Sequence, residues 1–274
     1  MAPHMQGWTV GEAEMPILGF GTWPMKGPTC REAVEIALEC GYRHVDTAQM
    51  YENEREVGQA IANSSVDRAD IFVVSKIRKG NCRPAAVRET VRESHDRLDV
   101  GTIDLMLIHS PNPRVPIPDT IGAMNELQDE GLVEHIGVSN FSVEQLRAAM
   151  DASETPIVTN QVAYHPFRDQ SDLLEFCIDE DVVLTAYSPL AKGDVIGTES
   201  LERIGDRYGK TAAQVAIRWL IQQENVVAIP KASSRRHIEE NTEVFDFELT
   251  DTEMAEIFEL SGGLRERLRR LLRI

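Results

Sequence analysis

Residues 44–76, HVDTAQMYENEREVGQAIANSSVDRADIFVVSK, hold the unit that decides the fold. A short apolar run, HVD (44–46), leads to a helical pattern over 54–62. That pattern leads to IFVVSK (71–76), which reads as a buried strand. A plain reading of the centre is a helix start, since Asp46 and Thr47 are good N-cap residues and Asn53–Glu56 make an acidic first turn. That reading leaves unexplained why both apolar runs end on a charge, Asp46 in one and Lys76 in the other.

The same unit recurs outward in both directions. Upstream, a hairpin-like start (GWTV, then EMPI) precedes a strand beginning at Phe20 and a helix over 32–40. Downstream, helical patterns over 84–98, 119–130, 143–151, 170–180, 199–222 and 235–243 alternate with apolar runs. Those runs are IDLMLIH (103–109), HIGVS (135–139), IVTNQV (157–162), VVLTAY (182–187) and VVAIP (226–230). About eight strand–helix units with short connections predict a (β/α)8 TIM barrel carrying an N-terminal β-hairpin. The alternative, a doubly wound open sheet, wants a Gly-rich phosphate turn after an early strand. GFGTW (19–23) lacks the third glycine and a following helix start. One domain is expected over 5–274, with Met1–His4 an added leader and Met5 the natural start.

Composition narrows the setting. The chain has 274 residues, 42% of them hydrophobic, enough for a full core without any membrane-length apolar run. MAPHMQGW lacks the charged-then-apolar pattern of a signal peptide. Cys30, Cys40, Cys82 and Cys177 match no zinc or redox spacing, and reduced thiols in a cytoplasmic protein are expected. The net charge is −17, with lysine only at 26, 76, 79, 192, 210 and 231. Such a surface repels nucleic acid and anionic membranes, and it is the surface expected of a protein working in high salt.

In a barrel the reacting groups sit where strands end. Here those positions are Asp46, Lys76, His109, Ser139–Asn140, Gln161, Tyr187–Ser188 and Lys231. Singly each has an innocent reading: Lys76 can snorkel to solvent, His109 can be a satisfied structural histidine, and the amides can anchor loops. Together on one rim they are a reaction centre. Tyrosine has a pKa of about 10, and a neighbouring ammonium is expected to lower it toward the working range. Asp46 would keep Lys76 charged and placed, and His109 would hydrogen-bond a substrate oxygen. Tyr51 is then a proton donor for a carbonyl becoming an alcohol. With no metal cluster and no GxSxG elbow, the hydride has to come from a nicotinamide cofactor.

Those residues resemble the aldo-keto reductase family over nearly the whole chain. The resemblance is carried by GYRHVDTAQMYENEREVG (41–58), IFVVSK (71–76), IDLMLIH (103–109), GLVEHIGVSNF (131–141), NQVAYHP (160–166), TAYSPLAKG (185–193) and IPKASSRRHIEENTEVFDFELT (229–250). It is greatest toward prokaryotic 2,5-diketo-gluconate reductase-type members. It implies an NAD(P)H-dependent reductase of aldehydes and ketones acting on a small-molecule carbonyl, and a monomer without nucleic-acid or membrane partners. It assigns Tyr51 as general acid, Lys76 and Asp46 as its tuning partners, and His109 as substrate orienter. Ser139, Asn140 and Gln161 would hold the nicotinamide carboxamide, and Tyr187 would stack on its ring. Ser188 and Leu190 would line the pyrophosphate path, with Thr22 also on the cofactor. Lys231 and Ser233 would grip the adenosine end, with Glu240 and Asn241 on the adenine.

Three departures from that pattern carry expectations. His237 stands where the family has an arginine, and a neutral imidazole cannot replace a guanidinium fork on a 2′-phosphate. Lys231, Ser233, Ser234, Arg235 and Arg236 are expected to compensate in part, so NADP(H) is favoured modestly and NAD(H) use is expected too. Ser110 replaces a tryptophan after His109, which predicts a wider, more polar substrate pocket with Trp23 as its remaining wall. The ending GGLRERLRRLLRI (262–274) predicts a short amphipathic helix docked on the acidic body, leaving a less covered site. A competing function is a non-catalytic cofactor-binding accessory subunit of the same fold. A phosphate-binding barrel isomerase would need a Gly-rich site that AIPKASS lacks.

Overall fold

The computed structural model describes residues 7–262. A hairpin of β1 (Gly7–Val10) and β2 (Ala13–Pro16) comes first. Then follow β3 (Phe20–Gly21), α1 (Gly27–Glu39), β4 (His44–Asp46), α2 (Glu54–Asn63), β5 (Phe72–Ile77), α3 (Pro84–Leu98), β6 (Ile103–Ile108) and α4 (Ile117–Asp129). The chain continues through β7 (Val133–Ser139), α5 (Val143–Ala152), β8 (Ile157–Ala163), α6 (Ser171–Asp179), β9 (Val183–Tyr187), α7 (Glu199–Tyr208), α8 (Ala212–Ile221), β10 (Val226–Ala228), α9 (Arg235–Thr242) and α10 (Asp251–Glu259).

Strands β3 to β10 form one parallel eight-stranded sheet whose spatial order follows the chain order. No switch point interrupts it, which removes the doubly wound alternative. The sheet curls until its ends meet. Gly19 N–H donates to Ala228 O (2.9 Å), Ala228 N–H to Ile17 O (3.0 Å) and Gly21 N–H to Pro230 O (3.0 Å). The architecture is that of a (β/α)8 fold.

Strand periodicity divides the buried residues into two layers. Side chains alternate across a strand, so Val73 and Ile77 of β5 join the core beneath the helices, while Phe72 and Val74 fill the interior. Leu105 and Leu107 of β6, Val183 of β9, and Val227 and Ile229 at β10 fill the same interior. Val10, Ala13 and Met15 of the hairpin complete it, and Trp8 Nε1 donates to Val226 O (3.1 Å). Because Val226 begins its strand, the hairpin plugs the N-terminal ends and leaves the opposite rim open.

The helices form for local reasons. In α3 a proline opens the first turn, and Val87, Val91, Ser94 and Leu98 make one buried face at helical spacing. Each fully buried aliphatic there contributes about 1.5–3 kcal/mol. Helix α2 packs against the end of α3 through Gly58, where a Cβ would lie 1.8 Å from Leu98 O. Gly58→Ala therefore forces apart the helices that flank Tyr51.

One boundary differs from the sequence expectation, and the 199–222 pattern carries two helices of the one or two expected there. Helix α1 begins at Gly27, because Pro28 supplies a first-turn residue. The helical pattern over 199–222 breaks at Gly209, whose φ of 66° caps α7 in the left-handed region. Helix α10, opened by a capping box between Thr250 and Glu253, follows the last expected helix. The amphipathic stretch Leu264–Leu272 lies outside the described residues. Among those residues, no helix is long and apolar enough to cross a membrane, and Cys30, Cys40, Cys82 and Cys177 are unbridged.

Candidate active site

The interior rows of the strands end in polar side chains. Phe72 and Val74 continue to Lys76, Leu105 and Leu107 to His109, Val183 to Tyr187, and Val227 and Ile229 to Lys231, two residues at each step. This is the physical link between the strand pattern and the site. Asp46 ends the inner row of β4, whose Val45 faces the helices. A 3₁₀ turn over Gln49–Tyr51 then brings the phenol back over the rim.

The rim encloses a cavity of about 330 Å³. Asp46, Tyr51 and His109 line one side of it, with Trp23 and Met50 at the mouth. Ser139, Asn140, Gln161, Tyr187 and Ser188 line the other, and Lys192 and Lys231 stand at its edge. Neither lysine makes an ion pair among the described residues.

Lys76 lies behind Tyr51, fully buried, so the snorkelling reading fails. Its ammonium donates to Asp46 Oδ1 (2.5 Å), Thr47 O (2.8 Å) and Tyr51 Oη (3.3 Å). Three acceptors match three donors. The second oxygen of Asp46 accepts from Gln161 Nε2 at 2.7 Å. Burial works against the charged lysine, but Asp46 and Tyr51 outweigh it and hold its pKa above the ordinary value.

Tyr51 departs from the sequence expectation. Burial is the largest influence on its phenol and raises the pKa; Lys76 pulls the other way and only limits the rise. The ammonium was expected to lower this pKa toward the working range, and desolvation overrides it. A phenol held in its protonated form still suits a proton donor.

His109 is not a satisfied structural histidine. Its Nδ1 is shut away from solvent without a hydrogen-bond partner among the described residues, which leaves Nε2 as the nitrogen a ligand in the cavity can reach. Burial, then the Lys76 charge, lower its pKa to about 4, so the ring is neutral at pH 7. The Tyr51 and His109 rings meet edge to face with centroids 5.7 Å apart, and Trp23 lies 5.2 Å from Tyr51 on the other side.

The opposite wall is fixed by backbone strain and hydrogen bonds. Asn140 and Ser188 have φ of 60° and 51°, left-handed turns directly after β7 and β9. Asn140 Nδ2 donates to His109 O (3.0 Å), and its Oδ1 accepts from Tyr187 Oη (3.0 Å). Ser139 Oγ donates to Gln161 O at 2.8 Å.

Besides the buried Lys76, seven residues expected at the site do not line the cavity. Thr22 is buried behind the rim, where its Oγ1 donates to Asp46 O (2.9 Å) and fixes that strand end. Ser110 and Leu190 stand beside cavity residues without facing it. Ser233, His237, Glu240 and Asn241 belong to the segment leading into and along α9. There Arg235 pairs with Glu39 (2.5 Å) and Glu239 (3.4 Å), and Arg236 with Glu240 (2.7 Å). Met50 and Lys192 were missed by sequence reasoning. Lys192 stood inside TAYSPLAKG as a lone lysine in an acidic chain, and that was its signal. Met50 offered none beyond its place beside Tyr51.

Comparison with known proteins gives a consistent answer. The model of the Aldo/keto reductase family matches residues 17–261. A protein called aldo-keto reductase from Mycobacterium sp. (strain KMS) is 39% identical over 252 residues, covering 92% of this chain and 91% of its own. The 9,11-endoperoxide prostaglandin H2 reductase of Trypanosoma cruzi (strain CL Brener) is 39% identical over 255 residues, covering 92% and 89%. The crystal structure of a putative 2,5-diketo-D-gluconic acid reductase B superposes with a TM-score of 0.92 at 44% identity, covering 94% of this chain and 92% of that one.

Proposed function

The chain belongs to the aldo/keto reductase family, NAD(P)H-dependent oxidoreductases that reduce carbonyls, and from that premise we propose that it reduces aldehydes and ketones to alcohols with Tyr51 as the general acid. The observation that carries the assignment is the buried ammonium of Lys76, shared between Asp46 Oδ1 and Tyr51 Oη at the cavity wall. A lysine is buried with its charge only where partners hold it.

The cavity suits a nicotinamide ring. Its polar side chains, Ser139, Asn140 and Gln161, stand along one wall beside the ring of Tyr187. Lys192 and Lys231, without an ion pair among the described residues, mark where anionic phosphates would lie. When bound, the nicotinamide cofactor supplies the hydride to the carbonyl carbon. The rest falls to the chain. His109, neutral, donates from Nε2 to the carbonyl oxygen and orients it. Tyr51 transfers its phenolic proton to that oxygen. Lys76 stabilises the phenolate left behind, and Asp46 offsets the charge of Lys76. The exposed faces of Trp23 and Met50, 51% and 42% accessible, provide apolar purchase for the substrate.

Tyr51→Phe tests the assignment. Positioned general acids contribute about 10²–10⁴-fold, so carbonyl-dependent NADPH oxidation should fall by about 10³-fold. Cofactor binding, followed by quenching of protein fluorescence, should persist. Full activity in Tyr51→Phe sinks the assignment.

We also read the protein as a cytoplasmic monomer from a high-salt setting. Its net charge of −17 with few lysines supports the high-salt setting. A melting temperature that climbs with KCl is expected, and one that falls would refute the high-salt reading.

A further inference from the structure

We propose that Glu54 is a positioning residue for the proton transfer, setting the distance between Tyr51 and Lys76 from outside the barrel; the proposal rests on the reading of Tyr51 as the acid. Glu54 is a carboxylate at the first position of α2 with a side chain only 2% exposed. Its Oε1 accepts from Ser75 Oγ at 2.5 Å, and its Oε2 accepts from Arg97 Nε at 2.8 Å, with Arg97 Nη2 in ion-pair contact at 2.7 Å. Ser75 immediately precedes Lys76, and Glu54 lies three residues after Tyr51. One buried carboxylate thus ties the segment carrying the phenol to the strand carrying the ammonium. Arg97 secures both to α3.

A second tether stands on the other side of Tyr51. Gln49 Nε2 donates to Thr90 O and Ser94 Oγ of α3, both at 3.1 Å. Its Oε1 accepts from Arg78 N at 3.0 Å, just past β5. Ser94 Oγ also accepts from Arg97 Nη2 at 3.1 Å, which joins the two tethers into one network. Tyr51 is therefore held at both ends against the same strand and the same helix.

An independent observation shows why such a clamp is needed. Glu52, between Tyr51 and Glu54, has φ 56° and ψ 37°. A non-glycine residue keeps that left-handed conformation only where its surroundings impose it. Its side chain faces outward to Lys26 in an exposed pair, which cannot supply the constraint. Releasing Glu54 leaves Glu52 held on that side by Asn53 alone, through Thr47 Oγ1 and Met25 O, and the phenol shifts off the ammonium.

Glu54→Gln and Ser75→Ala test the proposal in the full-length protein with NADPH and a short aldehyde. A misplacement of about 1 Å can cost 10²-fold, so kcat should fall by about that factor in Glu54→Gln and less in Ser75→Ala, with KM and cofactor binding unchanged. Lys76 lowers the phenol pKa, so moving them apart should shift the alkaline limb of the rate profile to higher pH in both variants. A purely structural role would lower the folded fraction without moving that limb. Folded variants with an unmoved limb and unchanged kcat overturn the proposal. If Glu54→Gln fails to fold, Ser75→Ala, which leaves the Glu54–Arg97 pair intact, decides by the same two measurements. Failure of the underlying reading is separately visible, because Tyr51→Phe would then remain active.

Discussion

Asp46 and Gln161, 115 residues apart in the chain, meet across the barrel: Gln161 Nε2 donates to Asp46 Oδ2 at 2.7 Å while Lys76 holds the other carboxylate oxygen. Asp46→Asn keeps the shape and removes the charge. It leaves the fully buried Lys76 ammonium without a counter-charge. Breaking a buried pair from one side costs about 3–5 kcal/mol, and the lysine would adapt by giving up its proton. Urea denaturation should show a loss of that order, and carbonyl reduction should fall with it. Wild-type stability with wild-type rate in Asp46→Asn would show that the pair tunes nothing.

Acid should destabilise the fold in a window set by buried histidines. His44 lies on β4 below Asp46, fully buried, with Nε2 lacking a partner among the described residues. Its ring fills the space beside Gly19, where a Cβ would come within 2.6 Å of Nδ1. Burial lowers its pKa from 6.5 to about 4. The folded value is depressed, so the unfolded chain binds the extra proton first. Stability is intact above pH 6.5 and is lost as pH falls from there toward about 4. At 1.36 kcal/mol per pKa unit the loss is of order 3 kcal/mol. His109, lowered to about 4 by burial and by Lys76, adds to it in the same window. Denaturation midpoints should therefore drop between pH 6.5 and 4, less steeply in a folded His44→Phe variant. A flat response would contradict the burial argument.

Much of the rim was legible because strand periodicity is simple. A polar residue two positions after a buried one continues the inner row, so Lys76, His109, Tyr187 and Lys231 could be placed from the sequence. Helix α3 was equally plain, with proline at one end and apolar spacing throughout. What could not be read depends on tertiary geometry. Whether Lys76 or desolvation dominates the phenol was a question of burial depth, which no spacing records. Thr22 shares the rim segment with Trp23, yet turns away to pin the Asp46 carbonyl. Glu54 read as an ordinary acidic first-turn residue until Ser75 and Arg97 were found around it. Met50 and Lys192 face the cavity because of local 3₁₀ turns, which leave no periodic trace.

Cofactor choice follows from the α9 segment. Both arginines expected to compensate for His237 are already turned to carboxylates, Arg235 to Glu39 and Glu239, and Arg236 to Glu240. A 2′-phosphate would have to compete with those partners, in a chain whose net charge is −17. His237 is exposed, with its backbone N–H accepted by Ser234 Oγ. The wild-type protein should therefore use NADPH and NADH with kcat/KM values within about tenfold, since each factor of ten needs about 1.4 kcal/mol. His237→Arg adds a guanidinium without a carboxylate four residues on, because position 241 is asparagine. A charge-assisted bond to phosphate contributes about 1.5–3 kcal/mol, less at an exposed site, so the NADPH-to-NADH ratio should rise by about tenfold. Fluorescence titration with each cofactor checks the same ratio without turnover. A wild-type protein that binds NADPH and ignores NADH would mean that Arg235 or Arg236 leaves its carboxylate for the phosphate.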